Sequence, residues 1–400
     1  MPDSSKPIVA RQPIFDRTRQ VLAYELLYRG SGDADAAEAT ARVMIDSLEQ
    51  IDLDVLAPGT RLFVNMPFVA FGWSLSQMLP ADRFVLEVLE DIPPDAALIA
   101  AIERQRADGF RIALDDFVWT PAHEPLIGLA DFVKLDILAL GDQLAATVGR
   151  CRRPGVQLIA EKVETAAQLD ACDALGFDAF QGYVFCQPTS GGRGPMPSPS
   201  LVLLELVAKL RDPEVATPDL AALLRRDATL AYQILRLANS PLNGVRRQVR
   251  SIEDALVVLG ADAVRNWATI LVLARLSSDR PAALLELAVT RGAMCARTGE
   301  LLGLRDGDTL YTIGLLSVLD GLLNRPMQGI LAGLSLAEPV RDALLGGSGP
   351  LGDVLRLVID FERGQWHSLT DDMTELMMSS LSDAYESALC DSRATLAVSK

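Results

Sequence analysis

The chain has two histidines, five cysteines and no uninterrupted apolar run of the roughly 18 residues that a membrane-spanning helix needs. Each shortage removes a class of function. His123 and His367 lie far apart in unrelated contexts, which leaves His-based metal sites and Ser-His or Cys-His nucleophile pairs without support. Cys151, Cys172, Cys186, Cys295 and Cys390 are odd in number and form no CxxC pair, so neither a disulfide framework nor a zinc site is expected. The opening MPDSSKPIVARQP has no apolar signal core, and the expectation is a cytoplasmic chain without a membrane span. No apolar stretch leads into a GxGxxG or GxxxxGK[ST] phosphate loop.

Basic residues are also outnumbered, with 37 Lys and Arg against 53 Asp and Glu for a formal net charge of −16. Such a field repels a phosphate backbone, which argues against binding to a nucleic-acid polymer. An anionic ligand would need local help from a few Arg or Lys side chains, or from bound cations. With histidine this scarce, any catalysis falls to carboxylates.

What is present divides into two textures, and 400 residues is more than one hydrophobic core usually serves. Residues 1–190 alternate short apolar strands with helical stretches such as DAAEATARVMIDSLEQI and PPDAALIAAIERQRADG, the second stopped by Gly109. Repeated units of this kind predict an α/β barrel of the TIM type, with an open doubly wound sheet as second choice. Residues 191–200, within SGGRGPMPSPS, read as a linker. Residues 201–400 read as an all-α domain, with Ser251 and Asp254 forming a capping box, Gly260 a helix stop and a loosely ordered tail after about 385.

In the first half a polar group recurs at the end of almost every apolar strand: Glu25, Asn65, Glu87, Asp115 and Asp116, Lys134 and Asp136, Glu161 and Glu164, and Gln181. On a barrel these ends converge at one mouth. Any one of them is more often a helix cap, a solvated strand end or half of an ion pair, but the set is harder to assign that way. Several carboxylates together repel unless cations join them, and hard oxygen donors with an Asn carbonyl suit Mg²⁺, Mn²⁺ or Ca²⁺. Two such ions roughly 3.5–4 Å apart serve phosphodiester hydrolysis.

The ordered series ELLYR, FVNM, LEVLE, LDDF, VKLD, AEKVE and QGYVF resembles the EAL family of cyclic di-GMP phosphodiesterases, TIM-barrel enzymes that use divalent metal. The resemblance implies metal binding, as Mg²⁺ or Mn²⁺, by Glu25, Asn65, Glu87, Asp115, Asp116 and Glu161. It implies that Lys134 lies beside the attacking water, with Glu161 and Glu164 in catalysis, and that Arg29 and Gln181 serve substrate binding. Three departures stand out. Leu26 replaces the family's alanine, the chain between Glu25 and Asn65 is short, and DDFVWT replaces a DDFGTG loop that couples metal binding to dimerisation. The ligands are retained and the loop is not, a pattern that favours cyclic di-GMP binding over efficient hydrolysis and leaves homodimer formation open.

LLRRDATLAYQILRLANSPLNG and SIEDALVVLGADAVRNWA resemble an HDOD domain, a helical relative of the HD phosphohydrolases. Ser317 and Val318 stand where those hydrolases carry their His-Asp pair, so the resemblance implies a regulatory domain that binds a protein partner. Tandem EAL-HDOD chains are a recognisable bacterial signalling arrangement. The competing readings are a non-catalytic interaction scaffold and a hydrolase of another phosphodiester.

Overall fold

A computed structural model describes residues 8–29, 37–50, 52–186, 198–212, 214–240, 248–276, 281–332, 334, 336–366, 369 and 375–399. His367 and most of the linker fall outside this set. The chain forms two compact units, one of Met1–Val184 with Asp360–Asp383 and the other of Phe185–Ile359 with Ala384–Lys400.

The first unit is a closed barrel of eight strands in sequence order: β1 (Ile8–Asp16), β2 (Val21–Arg29), β3 (Arg61–Asn65), β4 (Phe84–Val88), β5 (Arg111–Leu114), β6 (Phe132–Asp136), β7 (Gln157–Glu161) and β8 (Ala179–Gln181). It departs from strict strand-helix alternation at its start. Only residues 17–20 join β1 to β2, too few for a parallel crossover, so the pair is an antiparallel hairpin. The Asp16 carboxylate organises that turn by accepting from the backbone N–H of Thr18 and Gln20. β1 also closes the barrel antiparallel to β8, while all other neighbours run parallel.

Helix ends follow local chemistry. Asp95 caps the helix Ala96–Ala107, whose exit turns through Gly109 at φ 98°. Thr165 and Gln168 form a capping box for Ala166–Leu175. Inside the barrel, one apolar layer takes a residue from every strand: Ile14, Ala23, Phe63, Val85, Ala113, Phe132, Ile159 and Ala179. This plug fills the interior and sets the floor of whatever lies above it.

The second unit is helical among its described residues. Ser251 accepts from the Asp254 backbone N–H at the start of Ile252–Leu259, and Gly260 ends that helix. Ser198, Pro199 and Ser200, expected to be linker, already belong to the helix Ser198–Leu210. Two further expectations need correcting. The segment Asp360–Asp383 clusters with the barrel, where the Val9 N–H donates to Ser382 Oγ at 3.2 Å and the Arg363 guanidinium lies 3.8 Å from the Tyr183 ring centroid. The tail is not loose, since Glu375–Ser399 is one helix. No described helix is long and apolar enough to cross a membrane.

Candidate metal centre in the barrel mouth

Side chains two residues apart on a strand point the same way, so each strand that supplies the apolar plug supplies a second inward residue one step further along. Those residues are Glu25, Asn65, Glu87, Asp115, Lys134, Glu161 and Gln181 on β2 to β8, with Asp115 just past the end of β5. On β1 the chain runs the other way, so the step from Ile14 leads back to Gln12. Eight strands thus place a ring of eight polar residues directly above an apolar floor.

Lys134 is the hub. Its Nζ lies 3.1 Å from Glu25, 2.7 Å from Glu87, 2.7 Å from Asp115 and 3.0 Å from Glu161. Gln181 Nε2 donates to Glu25 Oε2 at 2.5 Å and to Gln12 Oε1 at 2.8 Å, tying the two ends of the barrel seam together. Lys134 and Glu87 are fully buried, and Glu25 and Glu161 nearly so.

Four carboxylates share one ammonium, so full ionisation would leave three uncompensated negative charges in a largely buried site. Glu87 and Glu161 respond by holding protons. Burial raises the Glu87 carboxyl well above its ordinary range against the pull of Lys134, with Glu25 and Asp115 adding to the rise. Burial likewise pushes Glu161 up to about 8. For Lys134, burial alone would lower the ammonium, but the surrounding carboxylates outweigh it and hold the group firmly charged.

The donor set fits a hard cation. Carboxylate oxygens of Glu25, Glu87 and Asp115 lie within 4.8 Å of one another. Asn65 Oδ1, Glu161 Oε2, Gln181 Oε1 and both Glu87 oxygens are buried without a well-aligned hydrogen-bond donor, although Lys134 Nζ is near enough to Glu87 for an ion pair. Orphaned acceptors of this kind are costly to bury, and a cation would satisfy them.

The remaining expected residues lie around this cluster. Asp116, at φ 40°, leaves the ring and faces the Lys162 ammonium at 3.6 Å. Burial raises its carboxyl, which Lys162 lowers in part. Asp136 caps the turn Ile137–Leu140 by accepting from the Leu138 and Ala139 N–H groups, and it pairs with Lys162 at 2.5 Å. Glu164 is exposed beyond β7, with its N–H bonded to Gln168 and no described contact to the cluster. The Arg29 backbone pairs with Ile8 in the hairpin, and its side chain lies outside the described set. Val118 and Trp119 avoid the left-handed conformations that the glycines of the related loop would allow. Instead Trp119 Nε1 donates to Glu124 at 2.9 Å, and the Arg150 guanidinium lies 3.8 Å from a Trp119 ring centroid.

Sequence reasoning missed Gln12 and Lys162. A polar residue two places before an inward apolar one is the mark of Gln12, legible only once β1 is known to run antiparallel. Lys162 directly follows Glu161, and nothing in its spacing distinguishes it from a solvated lysine.

In the helical unit, Ser317 and Val318 occupy the end of the helix Gly307–Leu316. Ser317 Oγ accepts from Arg291 at 2.9 Å, and Val318 is buried. Neither side chain is a carboxylate or imidazole that could ligate a metal there.

The chain matches the EAL domain model over residues 68–188 and the HDOD domain model over residues 196–323. The match begins after β3, so Glu25 and Asn65 fall outside it, yet the barrel carries both into the same ring. The cyclic di-GMP phosphodiesterase CdgJ of Vibrio cholerae is 31% identical over 92% of this chain and 88% of its own length. The uncharacterized protein YuxH of Bacillus subtilis is 30% identical over 95% of this chain and 97% of its own. Among solved structures, the calcium and cyclic di-GMP complex of Klebsiella pneumoniae BlrP1 is 23% identical, covering 47% of this chain and 57% of that one at a TM-score of 0.39. An EAL domain protein from Listeria monocytogenes is 19% identical, covering 45% of this chain and 87% of that one at a TM-score of 0.39. With both domain models matched in order and relatives aligned along nearly its whole length, the chain belongs to the tandem EAL-HDOD family.

Proposed function

We propose that the barrel binds cyclic di-GMP through divalent metal and hydrolyses it slowly to the linear dinucleotide, in a chain whose helical domain relays the bound state to a protein partner. The observation that carries this reading is the ring of eight polar residues above the apolar plug, with four carboxylates and several orphaned acceptors in it. The alignment with CdgJ supplies the substrate class.

In this reading Glu25, Asn65, Glu87, Asp115 and Glu161 hold Mg²⁺ or Mn²⁺. When bound, such an ion lowers the pKa of a coordinated water and offsets charge on phosphoryl oxygen. Lys134 keeps its charge at neutral pH and orients the water against the carboxylates, and Glu161 and Glu164 are assigned to catalysis by resemblance. The water oxygen bonds to phosphorus as one ester P–O bond breaks; one of the water's protons ends on the departing oxygen and the other on the new phosphate hydroxyl. Arg29 and Gln181 are assigned to substrate contact by resemblance.

A receptor without turnover is the second reading, favoured by Trp119, which contacts Glu124 and Arg150, in place of a glycine loop. Calorimetry with cyclic di-GMP in Mg²⁺ and Mn²⁺, beside chromatography of the products, separates the two. Metal-dependent binding with slowly accumulating linear product, lost in Glu25→Ala, supports the enzyme. Binding with no product supports the receptor.

A further inference from the structure

We infer that Lys162 is a tethered cation that stands in for a second divalent ion at the barrel mouth, so that the site holds one ion tightly and a second only weakly. This rests on the proposed metal reading and deepens it. The described residues with side chains in the left-handed backbone region are Arg19, Asp116, Lys162 and Asn324. Two of these, Asp116 at φ 40° and Lys162 at φ 57°, face one another across the rim of the mouth with Nζ 3.6 Å from Oδ1. Residues other than glycine hold such conformations only where the surroundings enforce them, and two opposed examples define a built arrangement.

The charges around this pair leave little for another cation. Asp136 accepts from two capping N–H groups and meets Lys162 at 2.5 Å, so its oxygens are already engaged. Asp115 and Glu161 are drawn towards Lys134. Asp116 keeps an oxygen, Oδ1, that is buried without a hydrogen bond, as Glu161 does through Oε2, and Lys162 Nζ lies 3.6 Å from Asp116 Oδ1. A second ion held by Asp116 Oδ1 would sit within a few ångströms of that ammonium. Even at the dielectric of water, a single charge and a double charge roughly 5 Å apart repel enough to weaken binding about tenfold. The Lys162 side chain is 52% exposed, so it can swing away, which makes the second ion weak and not forbidden.

Manganese binding reads this directly, independently of activity. Mn²⁺ is titrated into the full chain and followed by electron paramagnetic resonance for the wild type, Lys162→Gly, Lys162→Gln and Lys162→Arg. Glycine accepts the left-handed conformation without strain, which protects the fold, and glutamine removes the charge while keeping the side chain. The expected result is one tight, magnetically isolated ion per wild-type chain. Lys162→Gly and Lys162→Gln should gain a second ion about tenfold more tightly, with the spectrum of a spin-coupled pair. Lys162→Arg should resemble the wild type. A coupled pair already present in the wild type, or a second ion bound no more tightly in the neutral variants, overturns the inference. Absence of tight Mn²⁺ from every variant overturns the metal reading itself.

Discussion

Lys134 Nζ lies 2.7 Å from Glu87 Oε1, and neither side chain is exposed to solvent. Both come from barrel strands, two residues above the apolar plug, so the contact follows from strand register. An ammonium buried among four carboxylates both stabilises the metal-free protein and sets the charge that a cation would meet.

Lys134→Met removes that ammonium and leaves the carboxylates uncompensated. Breaking a buried pair in this way should cost about 3 kcal/mol at neutral pH in chelator-treated protein. The loss should shrink under mildly acidic conditions, where the carboxyls take up protons. Urea unfolding at two pH values measures it, and an unchanged midpoint at neutral pH contradicts the assignment of Lys134 as hub.

Glu87→Gln should separate stability from metal binding. The carboxyl already favours its proton because it is buried, so a neutral amide of similar shape should raise metal-free stability. Affinity for Mn²⁺ should fall by about tenfold or more, since an anionic ligand is lost. Thermal melts with and without Mn²⁺ report both effects, and equal behaviour of variant and wild type in Mn²⁺ argues against this carboxylate as a ligand.

The metal-free protein should lose stability as pH rises from about 4.5 towards about 8. Unfolded, Glu161 releases its proton near the ordinary value of 4.5; folded, it keeps the proton up to about 8. Across that window the folded state holds one more proton, so stability falls with pH by on the order of 1 kcal/mol per unit. Metal coordination uses the deprotonated carboxylate and should flatten or reverse the trend. Melting temperatures in chelator and in Mn²⁺, taken at a series of pH values, test the sign.

Gly182 should tolerate no side chain. Its φ is 144°, and an added Cβ would lie 2.3 Å from the Val163 carbonyl oxygen, inside the backbone pairing that follows β7. Gly182→Ala should destabilise by about 2–4 kcal/mol and displace the neighbouring Gln181 from Glu25. A denaturant midpoint within error of the wild type would contradict this packing.

Most of the ring was legible because a barrel strand has period two and each motif ended an apolar run in a polar residue. Gln12 was not, because its strand is reversed and the inward polar position precedes the apolar one in the chain. Glu25 sits in the middle of a nine-residue strand and reaches the ring through register. Asp115 and Asp116 look equivalent in IALDDF, but a left-handed turn at Asp116 sends one to the hub and the other to Lys162. The last helix, Glu375–Ser399, is concealed in the sequence by its polar composition. Its buried residues Met378, Leu381, Tyr385, Ala388 and Ser392 recur at intervals of three and four, the helical signal that polarity masked.

The central claim is that the barrel mouth joins metal to cyclic di-GMP. Its most direct test is calorimetric titration of cyclic di-GMP into the full chain, with Mn²⁺ and with chelator, for the wild type and Glu25→Ala. The account predicts binding to the wild type in Mn²⁺ that disappears with chelator or with the substitution. Wild-type protein that stays folded in Mn²⁺ and binds no cyclic di-GMP would contradict it.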